Sequence, residues 1–256
     1  GTIAGSATCL FGCMKSVISM GVPEREAILA ATANPARSIG IYDEVGSLAP
    51  GKRADIVLTD DELNVVKQFK EIDIINIPEL LRYDIHSWEG CKIAKQYFNQ
   101  AIPHIRAIDI DLDQPLPMVE FLRENNINEV LVVTGDPPQD MGRKIYPTIS
   151  TDVIRKFKME MPEVKVYAGI DQYRTSMRAE SYSIKRKIQA GADGFFTQPF
   201  FDLRFLEIYA ELLEGKEVYW GVSPVLSDKS VNYWETKNNV VFPKNFAPTL
   251  EWNIDF

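Results

Sequence analysis

The chain has 256 residues, 45% of them hydrophobic, which is enough to bury the core of one large domain or of one domain with an appendage. Its formal net charge of -8 argues against a nucleic-acid partner, because a polyanion would be repelled. Three cysteines give no even disulfide framework, and no apolar run approaches the roughly 18 residues of a membrane span. The sequence therefore predicts a cytoplasmic protein that does not enter a membrane.

The first 69 residues predict a helix followed by a β-hairpin. The helix begins near Pro23, has apolar positions at helical spacing, and is interrupted at Asn34-Pro35. Two short runs, 54–58 and 63–69, have the composition of strands and are joined by an acidic turn. No cluster of titratable residues in this segment suggests chemistry.

Beyond residue 70, short β-branched runs alternate with helical patterns. The predicted strands are Ile72–Ile77, Ile105–Ile110, Val130–Thr134, Val164–Ile170, Gly194–Gln198 and Val218–Val222, and the predicted helices are 88–100, 116–126, 151–160, 176–190 and 203–214. Such alternation predicts βαβ units and a parallel sheet, with strands covered on both faces. Because no Gly-rich phosphate-binding turn has the right spacing, the pattern favours an incomplete (β/α)8 TIM-type barrel, with about six visible strands, over a Rossmann sheet.

Polar and aromatic residues follow most of the predicted strands. In a (β/α) barrel the C-terminal ends of the strands carry the chemistry. Here a carboxylate such as Asp136 can pair with an N–H group or a developing cation, and an amide such as Gln198 can donate and accept at the edge of a flat heterocycle. Taken singly, each is better explained as a turn or capping residue, whereas the set as a whole favours a binding site. The chain has only two histidines, His86 and His104, and no metal-ligand spacing, so no metal site is predicted.

Three motifs resemble methylenetetrahydrofolate reductase. They are Thr134-Gly135-Asp136-Pro137-Pro138, Lys187-x-x-Ala190-Gly191-Ala192-Asp193, and Thr197-Gln198-Pro199-Phe200-Phe201-Asp202. The resemblance covers roughly residues 70–256. It implies a flavoprotein of one-carbon metabolism and methionine biosynthesis, in which FAD takes hydride from NADH or NADPH and reduces methylenetetrahydrofolate to methyltetrahydrofolate.

The resemblance also implies roles for individual residues. Asp136 and Gln198 would be catalytic and would contact the folate, and Phe200 and Phe201 would lie beside the substrate. The implied cofactor-binding set is His104, Thr134, Gly135, Tyr167, Asp171, Glu180, Ser183 and Lys187. The implied partner is a small-molecule folate, and the sequence is compatible with a homo-oligomer.

The chain departs from the family pattern in several places. Thr134 stands where many members have Arg, and Asp171 where many have His. The catalytic Glu of the family's first strand, which precedes a pair of prolines, has no match before Ile72, and an eighth strand is not visible before Phe256. A catalytically inactive barrel fragment is therefore an alternative to an active reductase.

Residues 1–69 resemble a different family, the C-terminal end of N-acetylglucosamine-6-phosphate deacetylase, an amidohydrolase. The resemblance rests on Gly1 to Ser6, Ala31 to Arg37 and Gly46 to Asp55. A metal-dependent sugar hydrolase is thus a second alternative, although the family's metal ligands lie upstream of such a segment. The predicted organisation is an amidohydrolase-like fragment at 1–69 joined to a reductase-like barrel at 70–256.

Overall fold

A computed structural model describes residues 10–44, 72–81, 85–137 and 144–255, and these residues form two compact units. The first unit comprises residues 10–44, 225–234 and 247–255. The second comprises residues 72–224, with the gaps noted, and 235–246. The predicted strands 54–58 and 63–69 lie outside the described residues.

The first unit begins with three short helices, α1 (Leu10–Ser19), α2 (Glu24–Ala31) and α3 (Ala33–Ser38). Helix α1 packs on α2, and α2 packs on α3. The predicted helix ends earlier than expected, at Ala31, and Pro35 lies in the first turn of α3. Proline is tolerated there because the first turn needs no backbone donor.

Asn253 connects two segments of this first unit. Its side-chain Oδ1 accepts from the Val225 backbone N–H at 2.7 Å, and its Nδ2 donates to the Val225 carbonyl at 2.9 Å. Both backbone groups of Val225 are thereby satisfied by one side chain, as the burial of this residue requires.

The second unit contains a six-stranded parallel sheet whose strands follow one another in chain order. Its strands are β1 (Ile74–Ile77), β2 (Gln100–Arg106), β3 (Glu129–Val133), β4 (Lys165–Ile170), β5 (Gly194–Pro199) and β6 (Glu217–Gly221). The helices between them are α4 (Ser87–Ala94), α5 (Val119–Glu124), α6 (Ser150–Glu160), α7 (Met177–Ala190) and α8 (Leu203–Leu212). Two further helices come later in the chain: α9 (Asp228–Asn238) has most of its residues in the first unit, and α10 (Leu250–Asp255) belongs to the first unit. Six parallel strands curled into a half-barrel confirm the predicted incomplete TIM-type barrel.

The strands are apolar on both faces, as their sequences predict. The outer face, with residues such as Val132, Ala168 and Phe195, joins the helices in the main hydrophobic core. The inner face carries a smaller cluster formed by Ile102, Leu131 and Tyr167. Since side chains alternate along a strand, His104 and Arg106 lie on the inner face with Ile102.

The position of β2 corrects the predicted strand Ile105–Ile110. The strand runs from Gln100 to Arg106, and Ala107–Asp109 is a 3-10 turn. The turn is favoured because the backbone of Ile108 leaves the ladder: its N–H donates to the Thr134 carbonyl at 3.2 Å, and its carbonyl accepts from the Tyr146 N–H at 2.8 Å. Arg106 therefore ends the strand. The helix predicted at 88–100 correspondingly ends at Ala94.

The motif that runs from Lys187 to Asp193 stabilises the fold at the end of α7. Gly191 is the C-cap residue of the helix and has a φ of +106°. Any residue with a side chain would be strained in this left-handed conformation. The Asp193 Oδ2 atom accepts from the Val166 N–H at 2.7 Å and from Lys158 Nζ at 2.6 Å. The motif thus stops the helix and sets the start of β5 against β4.

Within the described ranges, no helix combines the length and the apolarity that a membrane crossing requires.

The close approach at Gly194 gives a test of this packing. A Cβ atom at Gly194 would lie 2.6 Å from the Glu217 carbonyl oxygen and 2.8 Å from the buried Tyr167 ring. We expect Gly194→Ala to lower the free energy of unfolding by about 3 kcal/mol, because backbone must move to admit the methyl group. Gly215→Ala is the matched control: Gly215 has a φ of +74° and nothing within 4 Å, so only backbone strain of about 1 kcal/mol is expected. Urea denaturation measures the free energy of unfolding of both variants. Equal losses would mean that Gly194 is not closely packed against Glu217 and Tyr167.

Candidate functional site

The candidate site lies at the C-terminal ends of β2 to β5. Because the strands are parallel, these ends share one edge of the sheet. Arg106, Asp136, Asp171 and Gln198 lie at or just beyond four neighbouring strand ends, and we call them the strand-end site. The edge is the one at which TIM-type barrels place their chemistry.

Arg106 connects the ends of β2 and β3. Its side chain is 9% exposed, and its Nη2 atom donates to the Asp136 carbonyl at 2.6 Å. Gly135 adopts a φ of +84°, and a Cβ there would lie 2.9 Å from Arg106 Nε. The exposed side chains of Thr134 and Asp136 are therefore carried on a turn that closes over a buried guanidinium.

Arg106 is a site residue that the sequence motifs do not identify. The signal that could have found it is a single arginine in an apolar strand followed by a carboxylate three residues later. Its Nε atom lies 3.1 Å from Asp109 Oδ2, although the two are poorly aligned for a hydrogen bond. The pair brings a partly compensated positive charge to the strand ends.

Gln172 connects the ends of β4 and β5. It is 3% exposed, and its Nε2 donates to the carbonyls of Gln198 at 2.7 Å and Pro199 at 3.3 Å. The Asp171 carboxylate accepts from the Tyr173 N–H at 3.2 Å, which closes the turn after β4. The backbone of Gln198 is thus held, while its side chain is exposed.

Phe200 and Phe201 are buried and belong to the core behind the site. Phe200 packs edge-on against Phe205, Tyr209 and Trp220, with centroids 5.6 to 5.8 Å apart. Asp202 caps α8 by accepting from two backbone N–H groups. The Phe-Phe-Asp part of the third motif therefore has a structural role, whatever its relation to a substrate.

Glu180 and Lys187 form a buried pair on α7. Their side chains are 9% and 11% exposed, and Lys187 Nζ lies 3.5 Å from Glu180 Oε1 while donating to the Gly169 carbonyl at 2.8 Å. Burial lowers the pKa of Lys187 and raises that of Glu180, and the attraction between the two opposes both shifts. Ser183 lies one turn before Lys187 and is partly exposed.

Tyr167 lies apart from the strand-end site. Its ring is in the inner cluster, and its hydroxyl donates to Glu217 Oε1 at 2.7 Å, at the first residue of β6. Since β6 runs parallel to β4, that hydroxyl points to the opposite edge of the sheet. The structure does not bring Tyr167 together with Asp136 and Gln198.

His104 precedes Arg106 by two residues on the inner face of β2. Burial lowers the pKa of its imidazole from 6.5 to about 4, and the nearby carboxylate of Glu79 opposes the shift. Its buried Nε2 atom has no hydrogen-bond partner among the described residues. The ring is therefore neutral near pH 7.

Among the described residues, no three His, Cys, Asp or Glu side chains are grouped to hold a metal ion.

The depressed pKa of His104 predicts a loss of stability in acid. Between pH 6.5 and 4 the unfolded chain binds a proton at this residue and the folded chain does not, so the free energy of unfolding rises with pH across this window. The full effect is on the order of 3 kcal/mol. His104→Gln should flatten this part of the profile, measured by urea denaturation at several pH values. Parallel profiles of the two proteins would show that His104 titrates normally when folded.

The buried pair on α7 predicts a strongly non-additive mutant cycle. Lys187→Met leaves the Glu180 carboxylate buried without its cation and should cost about 4 kcal/mol of stability at neutral pH. The double variant Glu180→Gln, Lys187→Met removes both charges and should recover most of that loss. Denaturation of Lys187→Met, of Glu180→Gln and of the double variant measures the coupling free energy between the two charges. Additive losses would mean that the two charges do not interact.

Two solved structures are distantly similar to this chain. A Clostridium thermocellum protein described as binding two copies of 5-methyl-5,6,7,8-tetrahydrofolic acid is 14% identical, with a TM-score of 0.42 over 73% of this chain and 68% of that one. A 2,3-dimethylmalate lyase of the PEP mutase/isocitrate lyase superfamily is 13% identical, with a TM-score of 0.42 over 70% of this chain and 76% of that one.

The N-terminal part of the chain is similar to amidohydrolases. The amidohydrolase family model matches residues 1–127. The N-acetylgalactosamine-6-phosphate deacetylase of Escherichia coli O157:H7 is 39% identical over 66 residues, which are 25% of this chain and 18% of the relative. The named sugar is a galactosamine, where the sequence resemblance suggested a glucosamine.

The larger similarity is to methylenetetrahydrofolate reductases. The 5,10-methylenetetrahydrofolate reductase of Pectobacterium carotovorum subsp. carotovorum is 27% identical over 161 residues, 61% of this chain and 54% of the relative. That of Escherichia coli strain K12 is 26% identical over 157 residues, 59% and 53% of the two chains. The chain thus spans about half the length of these relatives. Because the methylenetetrahydrofolate reductase family model matches residues 84–255, more than half of the chain, this protein belongs to the methylenetetrahydrofolate reductase family.

Proposed function

We propose that this chain is a flavin-dependent reductase that converts methylenetetrahydrofolate to methyltetrahydrofolate, with FAD as its cofactor and NADH or NADPH as the electron donor. The observation that carries the proposal is the strand-end site itself. Two exposed motif side chains, those of Asp136 and Gln198, stand on backbone that buried Arg106 and Gln172 hold in place. A preorganised polar rim of this kind suits a planar, hydrogen-bonding substrate.

Buried polar atoms near this edge fit the hydroxyl-rich chain of FAD. Within the part of the chain that the structure describes, His104 Nε2 is buried without a hydrogen-bond partner, and such an atom costs about 1 to 3 kcal/mol when left unsatisfied. Arg106 Nε and Glu180 Oε1 are buried in ion pairs with Asp109 and Lys187, at 3.1 and 3.5 Å, but neither makes a well-aligned hydrogen bond. Hydroxyl groups donate and accept, so a polyhydroxyl ligand can serve an arginine donor and a carboxylate acceptor alike.

The proposed cofactor-binding residues follow from this fit. They are His104, Arg106, Thr134, Gly135, Asp171, Glu180, Ser183 and Lys187. Tyr167, whose hydroxyl is bonded to Glu217, is left out of the set. When bound, FAD would accept hydride from the nicotinamide and pass it to the folate.

The chain's own residues would bind and orient the folate. The Asp136 carboxylate, held through its backbone by Arg106, can pair with an N–H group of a pterin or with positive charge that develops on the reacting folate. The Gln198 amide can donate to one atom of the pterin edge and accept from the next. Phe200 and Phe201 would act indirectly, by fixing the end of β5, which carries Gln198.

The test begins with the cofactor. Purified protein given FAD and then desalted should retain a flavin absorbance near roughly 450 nm. The bound flavin should be bleached by NADH or NADPH without oxygen, and methylenetetrahydrofolate should restore the colour. Asp136→Asn and Gln198→Ala should retain FAD and lose roughly 100-fold in kcat/KM for the folate.

Asp113→Asn is the matched control for Asp136→Asn, because Asp113 is an exposed carboxylate on the loop after β2 and should tolerate the change. A protein that takes up no FAD would refute the proposal. Retention of FAD with no folate-dependent turnover would identify the chain as an inactive, flavin-binding barrel.

A further inference from the structure

A histidine–carboxylate dyad lies on the connection between β1 and α4. Glu79 is two residues beyond the end of β1 and its side chain is 8% exposed. Its Oε1 accepts from His86 Nδ1 at 2.9 Å, and its Oε2 accepts from the Ser87 N–H at 2.7 Å. The carboxylate is thus buried, each of its oxygens accepts one hydrogen bond, and its orientation is fixed.

His86 is held in a single orientation while half exposed. Its ring stacks on Trp88 at 4.1 Å with an interplanar angle of 11°, and its backbone N–H donates to Glu89 Oε2 at 2.8 Å. A carboxylate on Nδ1 fixes the proton there, so Nε2 is the nitrogen that meets solvent or a ligand. The side chain of His86 is 50% exposed, so the imidazole is in part accessible to solvent.

His86 is also the N-cap residue of α4, where it forms a capping box with Glu89. Glu89 accepts from the His86 backbone N–H, and Glu79 accepts from that of Ser87. The contact between Glu79 and the imidazole is additional to this capping. A buried carboxylate that orients an accessible imidazole is the pattern of a residue that transfers protons.

The dyad also lies on the reactive side of the sheet. The connection between β1 and α4 follows the C-terminal end of β1, as the other strand-end residues follow β2 to β5. Glu79 is close enough to His104, on the neighbouring strand, for its charge to oppose the fall of the His104 pKa. The Glu79 carboxylate thus contacts His86 directly and acts electrostatically on His104.

The proposed reaction needs a proton donor at this edge. Hydride adds to the methylene carbon, the bond from that carbon to one of its two nitrogens breaks, and the electron pair of that bond stays on the departing nitrogen, which takes up a proton. In the proposed reaction, reduced FAD would supply the hydride, and an acidic side chain at this edge would supply the proton faster than solvent. The first-strand Glu that the family pattern would provide for catalysis is not found in this sequence.

We propose that His86, oriented by Glu79, is the catalytic acid that protonates the departing nitrogen of methylenetetrahydrofolate. This inference rests on the proposed reductase function. In it, Nε2–H of the imidazolium gives its proton to the nitrogen, and solvent reprotonates the exposed ring. Glu79 is a positioning residue that acts through His86.

Chemical rescue tests this role in the FAD-loaded protein. His86→Ala should lower kcat for folate reduction roughly 100-fold with little change in KM, while reduction of the flavin by the nicotinamide is unchanged. Imidazole added to the solution should restore much of the lost kcat, because it can enter the space that the side chain leaves. Glu79→Gln should lower kcat without rescue, since His86 still fills that space. Lys92→Ala, an exposed change on the same helix, should behave as the unaltered protein.

A second readout does not depend on turnover. With only two histidines, ¹⁵N imidazole resonances are assigned by one variant, His104→Gln. Titration with methyltetrahydrofolate should shift the His86 Nε2 resonance. If the unaltered protein neither binds the folate nor reduces it, the proposed function fails and this inference fails with it. If it reduces folate while His86→Ala keeps full kcat, or while His86 Nε2 is unmoved at saturation, the inference alone is overturned.

Discussion

The common direction of the six strands is the constraint on which the candidate site depends. Parallel pairing in chain order sends every strand's C-terminal end to one edge, so residues far apart in sequence meet there. The edge is then fixed by two buried side chains that bond to backbone. Arg106 holds the turn after β3, and Gln172 holds the chain after β5. The exposed side chains of Asp136 and Gln198 are therefore positioned by two buried side chains.

Burial of charge near this edge limits how the site is built. The Glu180–Lys187 pair and the His104 ring are all disfavoured in their charged forms by desolvation. A fold gains little stability from such groups compared with apolar residues of the same size. Stability alone therefore does not explain their presence beside the strand ends. His104 Nε2 in addition has no hydrogen-bond partner among the described residues.

Sequence patterns predicted the architecture well, because strands covered on both faces leave continuous apolar runs such as Val130 to Val133. They misplaced β2, since Pro103 and His104 break the apolar run while the backbone continues through them. Motif similarity could not separate folding roles from chemical ones. Gly191 and Asp193 serve the helix end and the start of β5, and the Tyr167 hydroxyl points away from the site. Arg106 belongs to none of the motifs, and its importance depends on a turn thirty residues later.

Glu79 shows why a missing motif residue does not settle the question of activity. A motif places a catalytic group on one particular strand. In a barrel, however, several strand ends border the same site, so another strand can carry an equivalent group. A buried carboxylate at the end of β1 that orients an accessible imidazole can meet a demand for a proton from a different position on that edge. Because its parts are seven residues apart and carry no family signature, only the placement of the side chains reveals the pair. The activity of this barrel is therefore better inferred from the side chains that reach the strand-end edge than from the family motif residues that are present in the sequence.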